Sequence, residues 1–272
     1  MNATRVFTAT VVAVVGTGSK DDVAETLGAL GDAGVRAVIV SLGKHAEPAH
    51  REENGITVIE GLLPQYLDNA VASLRLSSLP TLAWWRADEP RILEDLAALV
   101  ERVVLDVDRP DHVWELVPDL AAVSAVSDLR WTRLTRWREL LAQCFDIPEV
   151  RDPAPAFTDV EIAGSDEYQL RLAGGWLRSR LPGGKRLKVN LSTRGSTSLE
   201  SLRLSAAAGT LEVRLLPQGA CMETVLNLPR ADSSRRVVAA GDQRLQALMD
   251  EELRVRSRDL AFEDALRAAE QL

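Results

Sequence analysis

Gly16-Thr17-Gly18-Ser19 follows an unbroken apolar run from Val6 to Val15 and is the first place along the chain where residue type and spacing bear on chemistry. Glycines at a strand-to-helix turn let backbone amides approach a phosphate at a helix N-terminus, and Ser19 stands where a helix cap belongs. The third glycine of a dinucleotide fingerprint would fall at position 21, which is Asp, and the second strand ends Val38-Ile39-Val40-Ser41 without the acidic residue such sites use. No Gly-Lys-Ser/Thr follows, so the turn is not a P-loop. Gly16 and Ser19 are therefore candidate ligand contacts on what is otherwise a capped tight turn. Asp106 and Asp108, with Asp111 and His112 close behind, gather where a fifth strand should end, the edge at which open α/β sheets carry ligands. Carboxylates beside an imidazole suit acid–base work, while Asp108 ahead of Arg109-Pro110 equally suits a helix cap. His45 and His50 stand in a polar stretch without a third ligand, so no metal site is expected. The chain has no Gly-x-Ser-x-Gly, no His-Glu-x-x-His and no Cys with a base partner, so no catalytic residue and no cofactor are expected.

The richest segment runs from Asp128 to Leu141. At helical spacing Trp131, Leu134, Trp137, Leu141, Cys144 and Phe145 share one face with Arg130 and Arg138. Indoles with arginine stems passing beside them are ordinary core, yet Trp and Arg are also the residues that protein interfaces enrich. A second segment, 168–199, holds seven cations and no carboxylate, among them Arg178, Arg180, Lys185 and Arg186. Its aromatics are Tyr168 and Trp176, too few for a base-stacking platform, so a local anionic partner fits it better than nucleic acid.

Elements must hold these residues in place. The apolar run at 6–15 reads as a strand buried on both faces, followed by a helix at 20–33, strands at 35–41, 56–59, 80–85 and 102–106, and helices at 64–76, 89–100 and 110–126. This alternation predicts a doubly wound, mostly parallel sheet of about five strands, a Rossmann-like domain over 1–126. The stretch 43–54 reads as a loop. A helix at 129–145, a Pro-rich linker and a helix at 165–181 stopped by Pro182-Gly183-Gly184 come next. Runs at 186–192, 198–204, 210–216 and 221–228 predict an antiparallel sheet joined by hairpins. With C-terminal helices from Gly241 onward they make an α+β domain over 127–272.

The 272 residues are 46% hydrophobic and 26% charged, with a net charge of −8. The basic segment carries +7 and leaves −15 on the rest, which disfavours a nucleic-acid or anionic-membrane partner. Two cysteines, Cys144 and Cys221, are too few for a disulfide framework. No stretch reaches the length of a membrane helix, and a cytoplasmic protein is expected.

Leu79-Pro80-Thr81-Leu82-Ala83-Trp84-Trp85-Arg86, Val104-Leu105-Asp106, Asp128-Leu129-Arg130-Trp131-Thr132-Arg133-Leu134-Thr135-Arg136-Trp137-Arg138 and Leu172-Ala173-Gly174-Gly175-Trp176-Leu177-Arg178-Ser179-Arg180-Leu181 occur in that order. Together they resemble the glucose-6-phosphate dehydrogenase assembly protein (OpcA) family, and Phe262-Glu263-Asp264-Ala265-Leu266 fits as well. The resemblance implies a non-catalytic partner that binds glucose-6-phosphate dehydrogenase and favours its active oligomer in the oxidative pentose phosphate pathway. The chain is short for that family and begins almost at its first strand. Where the family carries His-Pro-Cys-Arg, this chain reads Ala33-Gly34-Val35-Arg36, so thiol control is not expected. On this reading the contact surface draws on Trp84, Trp85, Arg86, Arg130, Trp131, Arg133, Trp137, Arg138, Trp176, Arg178 and Arg180. The alternative is an enzyme or sensor that binds a small phosphorylated metabolite near Gly16, Ser19, Asp106 and Asp108.

Overall fold

The computed structural model describes residues 7–16, 21–45, 48–76, 78–147, 157–207, 209–227 and 234–272. The first half of the chain forms β1 (Ala9–Val15), α1 (Asp21–Asp32), β2 (Val35–His45), β3 (Ala49–Glu53), β4 (Ile56–Leu62), α2 (Leu67–Leu74), β5 (Thr81–Arg86), α3 (Pro90–Ala97), β6 (Arg102–Leu105), α4 (Asp111–Trp114), α5 (Val117–Val123), β7 (Ala125–Asp128) and α6 (Leu129–Arg133). The strands make one sheet in the order β3-β4-β2-β1-β5-β6-β7. All seven residues of β1 are buried, as a β-branched run without polar alternation requires, and β1 pairs in parallel with both β2 and β5. The order reverses direction at β1, which places a ligand-accepting crevice beyond its C-terminal end.

This sheet has two strands more than the alternation predicted. β3 is Ala-His-Arg-Glu-Glu, exposed throughout and without an apolar signal, so its stretch read as a loop. It is an antiparallel edge strand folded back on β4 by Asn54 (φ 51°) and Gly55 (φ 79°), the left-handed pair that a two-residue hairpin needs. β7 replaces the end of the helix expected over 110–126. That helix breaks into α4 and α5, with Pro118 in the first turn of α5, and Ser124 is already extended (φ −142°, ψ 157°).

The second half forms α7 (Thr135–Phe145), β8 (Asp159–Gly164), α8 (Glu167–Arg180), β9 (Lys188–Thr193), β10 (Ser201–Ala206), β11 (Gly209–Leu215), β12 (Cys221–Asn227), β13 (Ser234–Ala239), α9 (Leu245–Arg254) and α10 (Leu260–Ala269). Its sheet runs β13-β12-β11-β10-β8-β9. Of the four runs expected as an antiparallel sheet, β10, β11 and β12 pair that way, whereas β9 lies parallel to β8 across α8; β8 and the antiparallel edge strand β13 were not expected, and the sheet is mixed. Asp166 caps α8 by accepting from the amides of Tyr168 (3.0 Å) and Gln169 (3.2 Å).

The chain divides into two compact units, Met1–Thr132 with Arg244–Asp259, and Arg133–Gln243 with Leu260–Leu272. The last two helices thus part company. α9 belongs to the first unit, where Leu248 and Met249 pack with Val23, Leu27 and Leu30 of α1. α10 belongs to the second and lies on α8 at Gly175, where a Cβ would strike the carbonyl of Ala265. The position 126/127 falls inside β7. Among the described residues no helix is long and apolar enough to cross a membrane.

Candidate functional site

The C-terminal ends of β1, β5 and β6 frame a cleft of about 730 Å³. Gly16, Asp106 and Asp108, three of the four residues expected near a ligand, line it together, with Asp22 from the first turn of α1 and Arg86 from the end of β5. Ser19 lies outside the described residues. Arg86 holds the centre: its Nη1 is 2.6 Å from an Asp22 carboxylate oxygen, its Nε is 3.2 Å from Asp106, and its guanidinium sits 5.5 Å over the ring of Trp84. The indole N–H of Trp84 donates to Asp106 at 3.2 Å. Among the described residues four carboxylates, Asp22, Asp88, Asp106 and Asp108, share the cleft with two guanidiniums, Arg86 and Arg109, a charge that disfavours a phosphate. Asp111 and His112 open α4 instead. Among the described residues no group of three or more His, Cys, Asp or Glu side chains is placed to hold a metal ion.

Trp84 and Trp85 are fully buried, and Trp131 and Trp137 are nearly so. β5 is covered on both faces, so its two indoles, which point to opposite sides, are both core. Trp131 donates its N–H to Asp259 at 2.8 Å. Arg130 is also buried: its guanidinium donates to the carbonyls of Val107 (2.9 Å) and Asp108 (3.1 Å), which pins the loop that borders the cleft. Beside it Asp128 accepts from the indole of Trp114 (2.9 Å) and the amide of Arg130 (2.8 Å). Burial pushes the Asp128 carboxyl above its ordinary range, against the pull of Arg130 and Trp114. The five buried side chains are thus turned away from the surface expected of them. The more accessible members of that set are Arg86, Arg133, Arg138, Trp176, Arg178 and Arg180.

Two of those six, Trp176 and Arg180, line a second cavity, of about 460 Å³, within the second unit. Phe145 at the end of α7 and Phe157 meet edge to face, their centroids 6.0 Å apart, and Trp176, Leu177, Leu181 and Leu187 complete an apolar lining. Arg180 lies at this cavity and pairs with Asp264 at 3.3 Å. Arg178 donates to the carbonyls of Leu187 and Gln271, both at 3.3 Å. Sequence reading singled out the cations and Trp176 and placed Phe145 on the apolar face of its helix, but missed Phe157 and Leu187. The available signal was the Pro182-Gly183-Gly184 stop, which folds the chain back against the end of α8.

Two units of this kind, a doubly wound, mostly parallel sheet and a six-stranded mixed sheet, define a two-unit α/β fold with a Rossmann-like first unit. The crystal structure of the aldose-aldose oxidoreductase from Caulobacter crescentus superposes with a TM-score of 0.51 at 14% identity, over 97% of this chain and 95% of that one. Gal80p from Saccharomyces cerevisiae, in its super-repressor form, superposes with a TM-score of 0.57 at 9% identity, over 97% and 94%. At these identities the likeness is one of fold. Residues 124–266 match the family described as the C-terminal domain of a glucose-6-phosphate dehydrogenase subunit, OpcA, and the chain belongs to this OpcA family. A protein of Synechocystis named for the OxPP cycle as OpcA is 27% identical over 124 residues, 42% of this chain and 26% of that one. Its namesake in Nostoc punctiforme is 30% identical over 120 residues, 41% and 26%. The matched stretch spans about a quarter of these relatives.

Proposed function

We propose that this chain is a non-catalytic assembly and activator protein that binds glucose-6-phosphate dehydrogenase, favours its active oligomer and so feeds the oxidative pentose phosphate pathway in the cytoplasm. The observation that carries the reading is the family match over 124–266, which contains the Arg/Trp helices, α8 and its basic turn. The cleft supports a non-catalytic role, because Arg86 and Asp22 engage each other where a dinucleotide-binding fold presents helix amides to phosphate. Neither nucleic acid nor a membrane surface is a partner in this reading. The test is size-exclusion chromatography with mass measurement of the cognate dehydrogenase, alone and mixed with this protein. A joint peak of higher mass is expected, and two independent peaks would refute the reading.

The alternative draws its support from the cleft, where Gly16, Asp106 and Asp108 meet. A small phosphorylated metabolite would face four carboxylates, so its binding is the weaker reading. Thermal unfolding with glucose 6-phosphate or a nicotinamide dinucleotide separates the two. The assembly reading expects no ligand-induced rise in melting temperature, and a rise that saturates with concentration favours the metabolite site.

A further inference from the structure

We infer that the apolar cavity between the end of α7 and the C-terminal half of α8 is a docking groove for an acidic segment of the partner protein. The segment would seat one bulky apolar side chain between Phe145, Phe157 and Trp176. Its carboxylates would meet Arg180, Lys185 and Arg186. The inference rests on the reading above, in which the partner is the dehydrogenase.

Size and lining support the anchor. About 460 Å³ lies within the roughly 300–1,000 Å³ of cavities that enclose a ligand, and its walls are aromatic and aliphatic. A large side chain entering such a pocket is the usual centre of a protein interface. Trp176 is only partly covered, so its indole is available to pack on an incoming group.

Charge selects the occupant. The turn after α8 presents Lys185 and Arg186 to solvent on a short helical turn, Gly184–Arg186, whose first residue lines the cavity. Arg178 and Arg180 lie one turn back along α8. Arg180 pairs with Asp264, which Arg267 shares, while Lys185 and Arg186 are exposed. Arg180, Lys185 and Arg186 make a locally positive rim on a chain of net charge −8. A basic or neutral segment would leave that rim uncompensated, whereas an acidic one is drawn to it.

Two variants of the full chain test the groove. Ala142→Trp fills it from an exposed position on α7, and Lys185→Glu/Arg186→Glu reverses the charge of its exposed rim. Melting temperature and helical content are compared with the wild type first; if Ala142→Trp unfolds, the surface double variant carries the test. Affinity for the cognate dehydrogenase is then measured by titration. At least a tenfold loss in folded variants is expected, with a further loss as salt is raised for the wild type. Wild-type binding with undiminished affinity in both variants overturns the groove and leaves the dehydrogenase reading intact. No binding by the wild type overturns both. A variant that instead changes the mass of this protein alone shows the groove to be a self-contact, which also overturns the inference.

Discussion

Arg102 and Glu252 stand 150 residues apart in the chain and 2.6 Å apart in space, with side chains only 6% and 5% exposed. Arg102 opens β6 and Glu252 lies on α9, so the pair ties the returning helix to the sheet of the first unit. Glu252 also accepts from the hydroxyls of Ser127 (2.6 Å) and Thr132, and Arg102 reaches the carbonyl of Ser257 at 3.3 Å. Removing one member of a buried pair leaves the other uncompensated, a loss of about 3–5 kcal/mol. Glu252→Ala is expected to lower the unfolding free energy by that amount in urea titrations. A change below about 1 kcal/mol, the scale of a surface pair, would contradict the burial of these two side chains.

The indoles divide by position, and their truncation should show it. Trp84→Ala and Trp131→Ala empty core volume and break hydrogen bonds to Asp106 and Asp259, so each should cost about 3–5 kcal/mol of stability. Trp176→Ala should cost about 1 kcal/mol or less while weakening attachment to the dehydrogenase. Equal stability losses at all three positions would contradict the division.

Acid–base behaviour of two buried carboxylates runs in opposite directions. Burial raises Asp128 above its ordinary 3.8, so its stabilising contribution is complete below that value and is lost as pH rises through the raised folded one. Burial would raise Glu223 too, but hydrogen bonds from Arg214 (2.7 Å) and Arg235 outweigh it and hold the carboxyl below 4.5. Its contribution is present above that value and lost as pH falls through the lowered one. Asp128→Asn should therefore flatten a decline of stability with rising pH, and Glu223→Gln should remove part of the loss in acid. Urea midpoints across the acid range read both, and unchanged profiles would count against the assignments.

Burial pushes the Cys144 thiol up to about 11, against the opposing charge of Arg236. At neutral pH it stays protonated and unreactive toward alkylation. Iodoacetamide with mass-spectrometric readout should label the half-buried Cys221 first and Cys144 only on unfolding or as pH nears 11. Rapid labelling of Cys144 in the folded protein would overturn this placement.

Much of this architecture was legible because local pattern and global fold agree. Val11 to Val15 announce a strand buried on both faces, and the spacing of runs after Gly184 announces the meander. β3 escaped because Ala49–Glu53 has no buried face to write into its sequence, although Asn54-Gly55 marked its turn. The destination of α9 escaped for another reason: the stripe of Leu245, Leu248 and Met249 requires an apolar partner but does not name α1. At the sites, residue type singled out Asp106 and Asp108 as ligand contacts and Trp176 and Arg180 as partner contacts, and all four line cavities. It could not separate core from contact for Trp131 and Trp137, since both roles favour a large amphipathic ring at helical spacing.

Enzyme kinetics at limiting glucose 6-phosphate decide whether this chain acts on glucose-6-phosphate dehydrogenase. Titrating the cognate dehydrogenase with this protein should raise the rate to a plateau, through a lower KM or a higher kcat, in step with formation of the larger oligomer. A rate and an oligomer mass that stay constant through a large molar excess would show that this protein neither assembles nor activates the enzyme.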